Sequence, residues 1–581
     1  MHLDHPKGGT TMGNGATPDP AGAPGRLSRR GLLASIAVIA ATPLLDACGS
    51  PKEKGPGATS ETDLTKALPA YVASDLVKAD IAVVAGANGA ATDPAFLTYP
   101  ASPPRTVNGT VGSGGSYVTM TPLWGAIPPS SGNAFYETVN KALGATVKIQ
   151  PADGNTYAEL LPPLFAADKL PDWINIPSWT TGNLNFGEAV RTKFADLTPY
   201  LAGDKIKQYP NLAALSTNAW VAGVWNGKLY GLPIYSSNAV IAGAYYYRKD
   251  IFDKAGVSAD IKSAADLEAV GKALTNAAGG VWAFDDLFGN DAGYSCQIFG
   301  FPSQGYPWAT DSSGKLVHRY ESDGIVEALN WHAKLVKAGY LHPDAVANNS
   351  QNAKQRFWSG KVAVCCDGTG AWNGDDAKSG TAAAPAYNRQ AFKLFSAKGD
   401  APTIQLGNGA SMFSYLNKKL SDKQIKELLA VANYLAAPYG SQEWLTVNFG
   451  TAGTHYTMQA GNPLLTEQGS KEIATSYQFL AGPASAVTVQ SGAVQVVKDA
   501  AAWQADMVKH VVKPLFYGLN VAEPGQFSSL GKPMTDMITD VKLGRKPISA
   551  WTDAVGTWRK QGGDDLRKFW DGIREKYGAG K

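Results

Sequence analysis

The sequence has no apolar run long enough to span a bilayer. The stretch between Arg30 and Cys48 holds about fifteen mostly apolar residues, whereas a hydrocarbon core needs roughly 20. A short run of this kind behind a basic cluster (Arg26, Arg29 and Arg30) is typical of an export signal. We therefore predict that residues 1–47 are a cleaved signal peptide and that no transmembrane helix follows.

Charge is also scarce. Charged residues make up 17% of the 581-residue chain, below the usual ~25% of globular domains, and the net charge is only +3. A chain this close to neutral lacks the basic surface that binds a phosphate backbone, which excludes nucleic acid as a predicted partner. Glycine (63 residues) and tryptophan (15 residues) are plentiful instead. Tryptophan has a flat apolar face with one polar group, which suits stacking on a ligand.

Cysteine is rare, with four residues in all. Beyond Cys48 there are Cys296 and the neighbours Cys365 and Cys366. Export would permit a disulfide between Cys296 and either neighbour, or a strained bond between the two neighbours. No Cys-x-x-Cys or zinc-type Cys/His spacing occurs, so we predict no metal site and no cofactor.

Familiar catalytic motifs are missing too. The chain has no Gly-x-Ser-x-Gly, no His-Glu-x-x-His and no phosphate-binding Gly-x-x-x-x-Gly-Lys-Ser/Thr. Adjacent acids such as Asp285-Asp286 are more typical of turns than of a catalytic pair across a cleft. We predict that the protein is not an enzyme. A secreted glycan-degrading enzyme, either a glycoside hydrolase or a lyase, is the alternative.

The N-terminal signal carries two further features. Arg29-Arg30 before an apolar run resembles a twin-arginine (Tat) signal, which is an export address in bacteria. Leu45-Asp46-Ala47-Cys48 resembles a lipobox, in which the cysteine is lipidated and becomes the first mature residue. We therefore expect a lipoprotein anchored through Cys48 at the extracellular face of the cell membrane.

The rest of the chain alternates strands with helices. Residues 48–115 are rich in glycine, alanine and proline and are predicted to form a tether and an N-terminal arm. Strands are predicted at 117–121, 147–149 and 170–176, with helices between them, one of which is broken by Pro162-Pro163. This alternation predicts an α/β fold with a parallel sheet, where ligands bind beyond the carboxyl ends of the strands.

Five motifs in order resemble those of extracellular solute-binding proteins of bacterial ABC importers, in the carbohydrate-binding branch (family 1 type). The resemblance covers nearly all of residues 116–577. Its markers are Pro171-Asp172, the Gly-Lys-x-Tyr-Gly-x-Pro of Gly227–Pro233, Tyr247–Asp250, Ser359–Ala363 and the C-terminal Gly-Gly-Asp helix.

The resemblance implies a two-lobed periplasmic-binding-protein type II fold with the ligand cleft between the lobes. The first lobe would comprise 116–236 plus 403–458, and the second 237–402 plus 459–581. The chain would cross between them near 233–240, 401–410 and 453–463. Such a protein closes over a carbohydrate, here expected to be an oligosaccharide, and delivers it to an ABC import permease. We expect a monomer.

Candidate ligand-binding residues are aromatic side chains at strand ends or in Gly/Pro loops, with amide and carboxylate partners for sugar hydroxyl groups. Trp372 is the first choice, because the resemblance implies a stacking tryptophan in the loop after Ser359–Ala363. The full set is Trp124, Trp179, Tyr235, Asn238, Tyr245, Trp308, Asp367, Trp372 and Asn408.

Overall fold

A computed structural model describes residues 61–124, 126–234, 237, 241, 243–288, 294–349, 352–369, 372, 375–489, 493–519, 521 and 523–577. The predicted signal peptide, Cys48, Tyr235 and Asn238 lie outside these residues. Among the described helices, none combines the length and the apolar character that crossing a bilayer requires.

Strands are numbered in chain order. They are β1 (Ala95–Phe96), β2 (Ser116–Leu123), β3 (Thr146–Asp153), β4 (Trp173–Pro177), β5 (Val224–Trp225), β6 (Lys228–Leu229), β7 (Gly231–Ile234), β8 (Gly243–Arg248), β9 (Trp282–Phe284), β10 (Trp308–Thr310), β11 (Leu316–His318), β12 (Val362–Gly368), β13 (Arg389–Ala391), β14 (Ile404–Gln405), β15 (Met412–Leu416), β16 (Tyr456–Gln459), β17 (Asn462–Leu465), β18 (Val487–Thr488) and β19 (Val511–Val512).

Helices are numbered in the same way. They are α1 (Glu61–Ala67), α2 (Ala134–Leu143), α3 (Tyr157–Ala166), α4 (Phe186–Lys193), α5 (Thr198–Leu201), α6 (Pro210–Ala213), α7 (Thr217–Val221), α8 (Lys249–Ala255), α9 (Ala264–Leu274), α10 (Ser295–Ile298), α11 (Asp323–Lys337), α12 (Pro343–Val346), α13 (Ala353–Trp358), α14 (Asp375–Ala383), α15 (Asp422–Leu435), α16 (Gln442–Phe449), α17 (Glu467–Glu472), α18 (Val494–Met507), α19 (Gly531–Lys542), α20 (Ile548–Trp558) and α21 (Asp564–Tyr577).

Two separate sheets organise the chain. The first has the order β3-β2-β4-β15-β7, in which β2, β3 and β4 are parallel while β15 runs antiparallel to both of its neighbours. The second has the order β13-β8-β12-β9. Each sheet has its own hydrophobic core, so we refer to the first lobe and the second lobe. The predicted α/β class is confirmed.

Local sequence explains the elements of the first lobe. Asn133 caps α2 by accepting hydrogen bonds from the backbone N–H groups of Phe135 (3.0 Å) and Tyr136 (3.1 Å). Gly144 ends the helix with φ 66°, a conformation that favours glycine. Phe135, Val139 and Leu143 are buried, as their four-residue spacing predicts.

The predicted break in α3 is wrong. The helix runs continuously through Pro162 and Pro163. Tyr157, Leu161 and Phe165 recur every four residues and are buried in one core. That tertiary packing outweighs the hydrogen bonds that the two prolines cannot donate.

The third predicted crossing is also misplaced. Residues 453–463 contribute instead to the β16–β17 hairpin, which turns at Ala460 (φ 48°) and Gly461 (φ 79°). Ala481 belongs to the first-lobe core and Val487 to the second-lobe core, so the chain changes lobe between them. We therefore propose that the first lobe extends to about residue 481 rather than to 458.

The cysteines are not joined in the way that export would permit. Cys296, Cys365 and Cys366 are thiols, and no disulfide links them. Cys365 and Cys366 are successive residues of β12, opposite Tyr246 and Tyr245 of β8. Successive side chains of a strand point to opposite faces of the sheet, which explains why the two neighbours do not bond to each other.

Candidate functional site

Two exposed tryptophans meet at one edge of the first-lobe sheet. Trp124 directly follows β2, and Trp179 lies two residues after β4. Their side chains are 45% and 58% exposed, and their ring centroids are 6.1 Å apart with an angle of 45° between the planes. Because β2 and β4 are parallel neighbours, their carboxyl ends bring the two rings together. We call Trp124 and Trp179 the aromatic pair.

Packing beneath Trp124 fixes the position of its ring. The ring of Phe479 contacts it edge to face at 5.7 Å between centroids. Gly154, which follows β3, lies so close to the indole that a Cβ atom there would collide with it. The Gly154 N–H donates to the Leu123 carbonyl at 2.9 Å. The absence of a side chain at residue 154 therefore makes room for the Trp124 ring.

The loop that carries Trp179 is held by hydrogen bonds within itself and to Ser411, which directly precedes β15. The backbone N–H and the hydroxyl of Ser178 both donate to the Ser411 carbonyl, at 3.1 and 2.8 Å. The Thr180 hydroxyl donates to the Pro177 carbonyl at 2.8 Å. Hydrogen bonds thus fix the positions of Ser178 and Thr180, while the side chain of Trp179 between them extends into solvent.

Polar groups lie in the loop next to the aromatic pair. Asp153 and Asn155 flank Gly154, and both are exposed. The Asp153 carboxylate accepts a hydrogen bond from the Asn155 backbone N–H at 2.8 Å. A carboxylate and an amide beside two aromatic faces are the groups that bind a molecule with apolar faces and hydroxyl edges. Sequence reasoning missed these two residues because, among β2, β3 and β4, it considered the loops after β2 and β4 but not the loop after β3.

Three predicted platforms are corrected by their burial. Trp372 is 3% exposed: its indole N–H donates to the Arg389 carbonyl at 2.9 Å, and its ring packs against Trp503. Tyr245 and Trp308 are each 1% exposed. None of the three presents a ring face to which a ligand could bind in this structure.

The two polar candidates in described residues have partners within the protein. Asp367, at the end of β12 in the second lobe, forms an ion pair with Arg389 at 3.1 Å. Asn408, in the second predicted crossing, accepts a hydrogen bond from the Tyr306 hydroxyl. The structure brings together Trp124 and Trp179 from the predicted set. It places Asp367 on the other sheet.

A second aromatic group escaped prediction. Tyr306 and Tyr517 lie 5.8 Å apart in the second lobe, and Tyr306 contacts the crossing through Asn408. Burial raises the pKa of both phenols, so they stay neutral hydrogen-bond donors at ordinary pH. Tyr306 lies in the Gly305-Tyr306-Pro307 loop, so it satisfies the criterion that selected Trp308, an aromatic residue in a Gly/Pro loop. Of these two residues, Tyr306 is the one that contacts the second predicted crossing.

The described residues contain no group of three or more His, Cys, Asp or Glu side chains arranged to hold a metal ion, and the absence of a metal site stays a prediction. The acidic Asp311 closes a turn, because its carboxylate accepts hydrogen bonds from Ser313 and from the Lys315 backbone.

Two lobes with separate sheets, connected by chain crossings and carrying exposed aromatic rings at strand ends, are the architecture of a solute-binding protein. The chain belongs to the bacterial extracellular solute-binding protein family, whose model matches residues 134–452, more than half of the sequence. Membership assigns it to an extracellular family of binding proteins and not to a class of enzymes.

Known proteins resemble the chain over most of its length. Lipoprotein LipO of Bacillus subtilis is 23% identical over 491 residues, which cover 80% of this chain and 93% of that protein. The N-glycan transport solute-binding protein NgtS of Streptococcus pneumoniae matches with a TM-score of 0.58 at 16% identity, covering 80% of this chain and 99% of the other. An HMO-binding, ABC-transporter-associated solute-binding protein of Bifidobacterium longum infantis matches with a TM-score of 0.57 at 14% identity, covering 80% and 99%. These likenesses confirm the predicted two-lobed fold.

Proposed function

We propose that this protein binds an oligosaccharide in the cleft between its lobes and delivers it unchanged to an ABC import permease. The observation that carries the proposal is the aromatic pair, two large apolar side chains left exposed at the carboxyl ends of two parallel strands. Exposing such rings forgoes the free energy that burying them would contribute, which is a reason to assign them a ligand.

The geometry favours more than one sugar ring. A pyranose has an apolar face of C–H groups that stacks on an aromatic ring, and hydroxyl groups at its edge that bond to amides and carboxylates. Two rings at 6.1 Å and 45° can stack on two successive sugars of a twisted chain, with Asp153 and Asn155 nearby for hydroxyl groups. A single sugar would leave one ring of the aromatic pair uncovered.

Similar proteins support a carbohydrate ligand by their names, which refer to N-glycan transport and HMO binding. A polygalacturonan/rhamnogalacturonan-binding protein of Bacillus subtilis is 27% identical over 168 residues, 28% of this chain and 33% of that protein. Closure would occur as in other two-lobed binding proteins. The ligand would contact both lobes in the closed form and so shift the population of molecules toward that form.

The proposal includes membrane attachment. Twin-arginine export would be followed by lipidation of Cys48, and residues 49–60 would connect the lipid to α1. The similarity to a protein named as a lipoprotein supports this part. We propose that the anchored protein acts as a monomer and meets its permease at the extracellular face of the membrane.

The test is a thermal melt of the chain starting at residue 49 against a panel of neutral and acidic oligosaccharides, followed by chromatography of each sugar. A ligand present at about 100 times its dissociation constant stabilises the folded state by about 2.7 kcal/mol. A raised melting temperature with intact sugar is the expected result. Cleaved sugar would favour the glycan-degrading enzyme instead, and no shift with any sugar would contradict a carbohydrate ligand.

A further inference from the structure

The N-terminal arm reaches both lobes. It first lies on the first lobe, where the backbone N–H groups of Ala70 and Val72 donate to the carbonyls of Gly203 (3.1 Å) and Ala213 (2.8 Å). It returns there at Tyr99, whose hydroxyl donates to the Ser441 carbonyl at 2.5 Å. Between these contacts, Ile81, Ala90 and Ala95 pack on the second lobe, and Phe96 packs against Tyr439 of the first lobe. We call residues 81–96 the strap.

Contacts with the second lobe are specific. The Asn88 side-chain amide donates to the Val511 carbonyl at 2.7 Å. Gly86 lies so close to Val508 that a Cβ atom would collide with it. Ala90 and Ala95 are buried in the second-lobe core. The arm therefore passes from one lobe to the other and back, in addition to the crossings of the main body.

The strap also bonds to the first crossing and to the strand that follows the third crossing. Strand β1 pairs in parallel with β18, which begins directly after the third crossing, and the Val487 N–H donates to the Pro94 carbonyl at 2.9 Å. The Ser237 hydroxyl, in the first crossing, donates to the Asp93 carboxyl at 2.8 Å. The Ser237 backbone N–H in turn donates to the Gly409 carbonyl of the second crossing at 2.9 Å. The strap thus contacts the first crossing directly, the second crossing through Ser237, and the strand that follows the third crossing.

Asp93 is the central residue of this arrangement. It is 4% exposed, and its carboxyl oxygen accepts from Ser237 in a crossing and from the Gln504 amide (3.4 Å) on α18 of the second lobe. Its backbone N–H donates to the Gln504 side chain at 2.9 Å. A buried acceptor that loses its donors is costly, so motion that separates Ser237 from α18 is opposed by Asp93.

We propose that the strap, with Asp93 at its centre, acts as a hinge clamp that sets the equilibrium between the open and closed forms of the protein. Opening and closing of two lobes changes the backbone angles of the few residues in the crossings. Hydrogen bonds from the strap to Ser237 in the first crossing and to the second lobe must be kept or broken as the lobes rotate. The free energy of these hydrogen bonds therefore contributes to the free-energy difference between the open and closed forms.

This inference rests on the two-lobed fold and needs no ligand, so its failure would leave the oligosaccharide proposal untouched. The test measures the distance between the lobes in the full-length chain purified in detergent, by single-molecule energy transfer. Dyes are attached through non-natural amino acids at Glu159 in the first lobe and Lys272 in the second, which are both exposed. The cysteine thiols are then left unlabelled.

Two substitutions weaken the clamp without a large change in volume. Asp93→Asn keeps the shape but replaces one acceptor oxygen by a donor, and Ser237→Ala removes one hydroxyl. We expect each to change the ratio of the two distance populations about fivefold, the effect of one lost hydrogen bond. The matched control is Glu443→Gln, because Glu443 holds the arm through the Thr106 and Val107 backbone on the first lobe alone. It should leave the ratio unchanged.

Melting curves of the same variants distinguish an effect on the open–closed equilibrium from an effect on the stability of the folded state alone. A lowered melting temperature with a wild-type distance distribution in both Asp93→Asn and Ser237→Ala would overturn the proposal, because the contact would then be merely structural. An equal shift in Glu443→Gln would overturn it as well. A shift in the first two variants and not in the control would establish the clamp.

Discussion

The ammonium nitrogen of Lys542, a side chain only 1% exposed, lies 2.7 Å from the carboxylate of Asp286. Lys542 ends α19, and Asp286 lies two residues after β9. The same carboxylate lies 3.3 Å from the His332 ring, and the other ring nitrogen of His332 lies 3.0 Å from the Lys542 carbonyl. This closed triangle joins the C-terminal helices to the sheet of the second lobe.

Asp286→Asn should destabilise the protein by about 3 kcal/mol, because it leaves the buried Lys542 charge without its anion. Urea unfolding at pH 7 measures the change. Asp253→Asn is the control: Asp253 forms an exposed pair with Lys249, and its loss should cost less than about 0.5 kcal/mol. Equal effects of the two substitutions would contradict a special role for the buried pair.

The same contact predicts a pH dependence. Burial alone would raise the pKa of Asp286, but the His332 hydrogen bond and the Lys542 charge outweigh it and hold that pKa below its ordinary value. A carboxyl with a lowered pKa stabilises the fold above its unfolded pKa of about 4, and this contribution is lost as pH falls toward the folded pKa. The gap in unfolding free energy between wild type and Asp286→Asn should therefore narrow from pH 6 to pH 3. A constant gap would mean that the carboxylate is not stabilised in the folded protein.

Trp124→Ala and Trp179→Ala should each weaken binding of the sugar identified by melting about tenfold, through the loss of one stacking surface. Isothermal titration measures the affinity. Both side chains are largely exposed, so the melting temperature without ligand should change little. Met458→Ala, an exposed apolar residue on the β16–β17 hairpin, is the control and should leave the affinity unchanged. Wild-type affinity in both tryptophan variants would remove the aromatic pair from the site.

Gly154→Ala tests the position of Trp124 while keeping the ring itself. The added methyl group would collide with the indole and displace it, so affinity should fall although both tryptophans remain. Gly525→Ala is the control, because a Cβ atom there meets no other atom within 4 Å. Equal affinities for the two glycine variants would show that the ring orientation is unimportant.

The thiols should be inert in the folded protein. Burial raises the pKa of Cys296 to about 11 and that of Cys366 to about 12, and it raises the pKa of Cys365 as well. In the chain starting at residue 49, Ellman's reagent at pH 8 should react slowly with native protein and quickly with three thiols in denaturant. Fewer than three in denaturant, rising to three after reduction, would indicate a disulfide.

Several features followed from the sequence alone because their causes are local. The spacing of Phe135, Val139 and Leu143 determined the buried face of α2. An Asn-Gly pair is typical of a two-residue hairpin turn, and Asn226 and Gly227, both with positive φ, form the turn between β5 and β6. Trp124 and Trp179 could be placed at strand ends because parallel strands share one carboxyl edge. The order of the motifs was enough to indicate the family.

Only the tertiary structure decided which aromatic residues stay exposed. The sequence places Trp372 in a Gly-rich loop. In the structure Trp503 of α18 covers its ring, and no residue near position 372 in the sequence indicates that contact. Tyr306 reaches Asn408, and Asp93 reaches Ser237, across long separations in sequence. Burial and hydrogen bonding depend on which residues are neighbours in space. The pattern of residues along the chain therefore determines the helices and strands, whereas the packing of those helices and strands determines the binding site and the hinge.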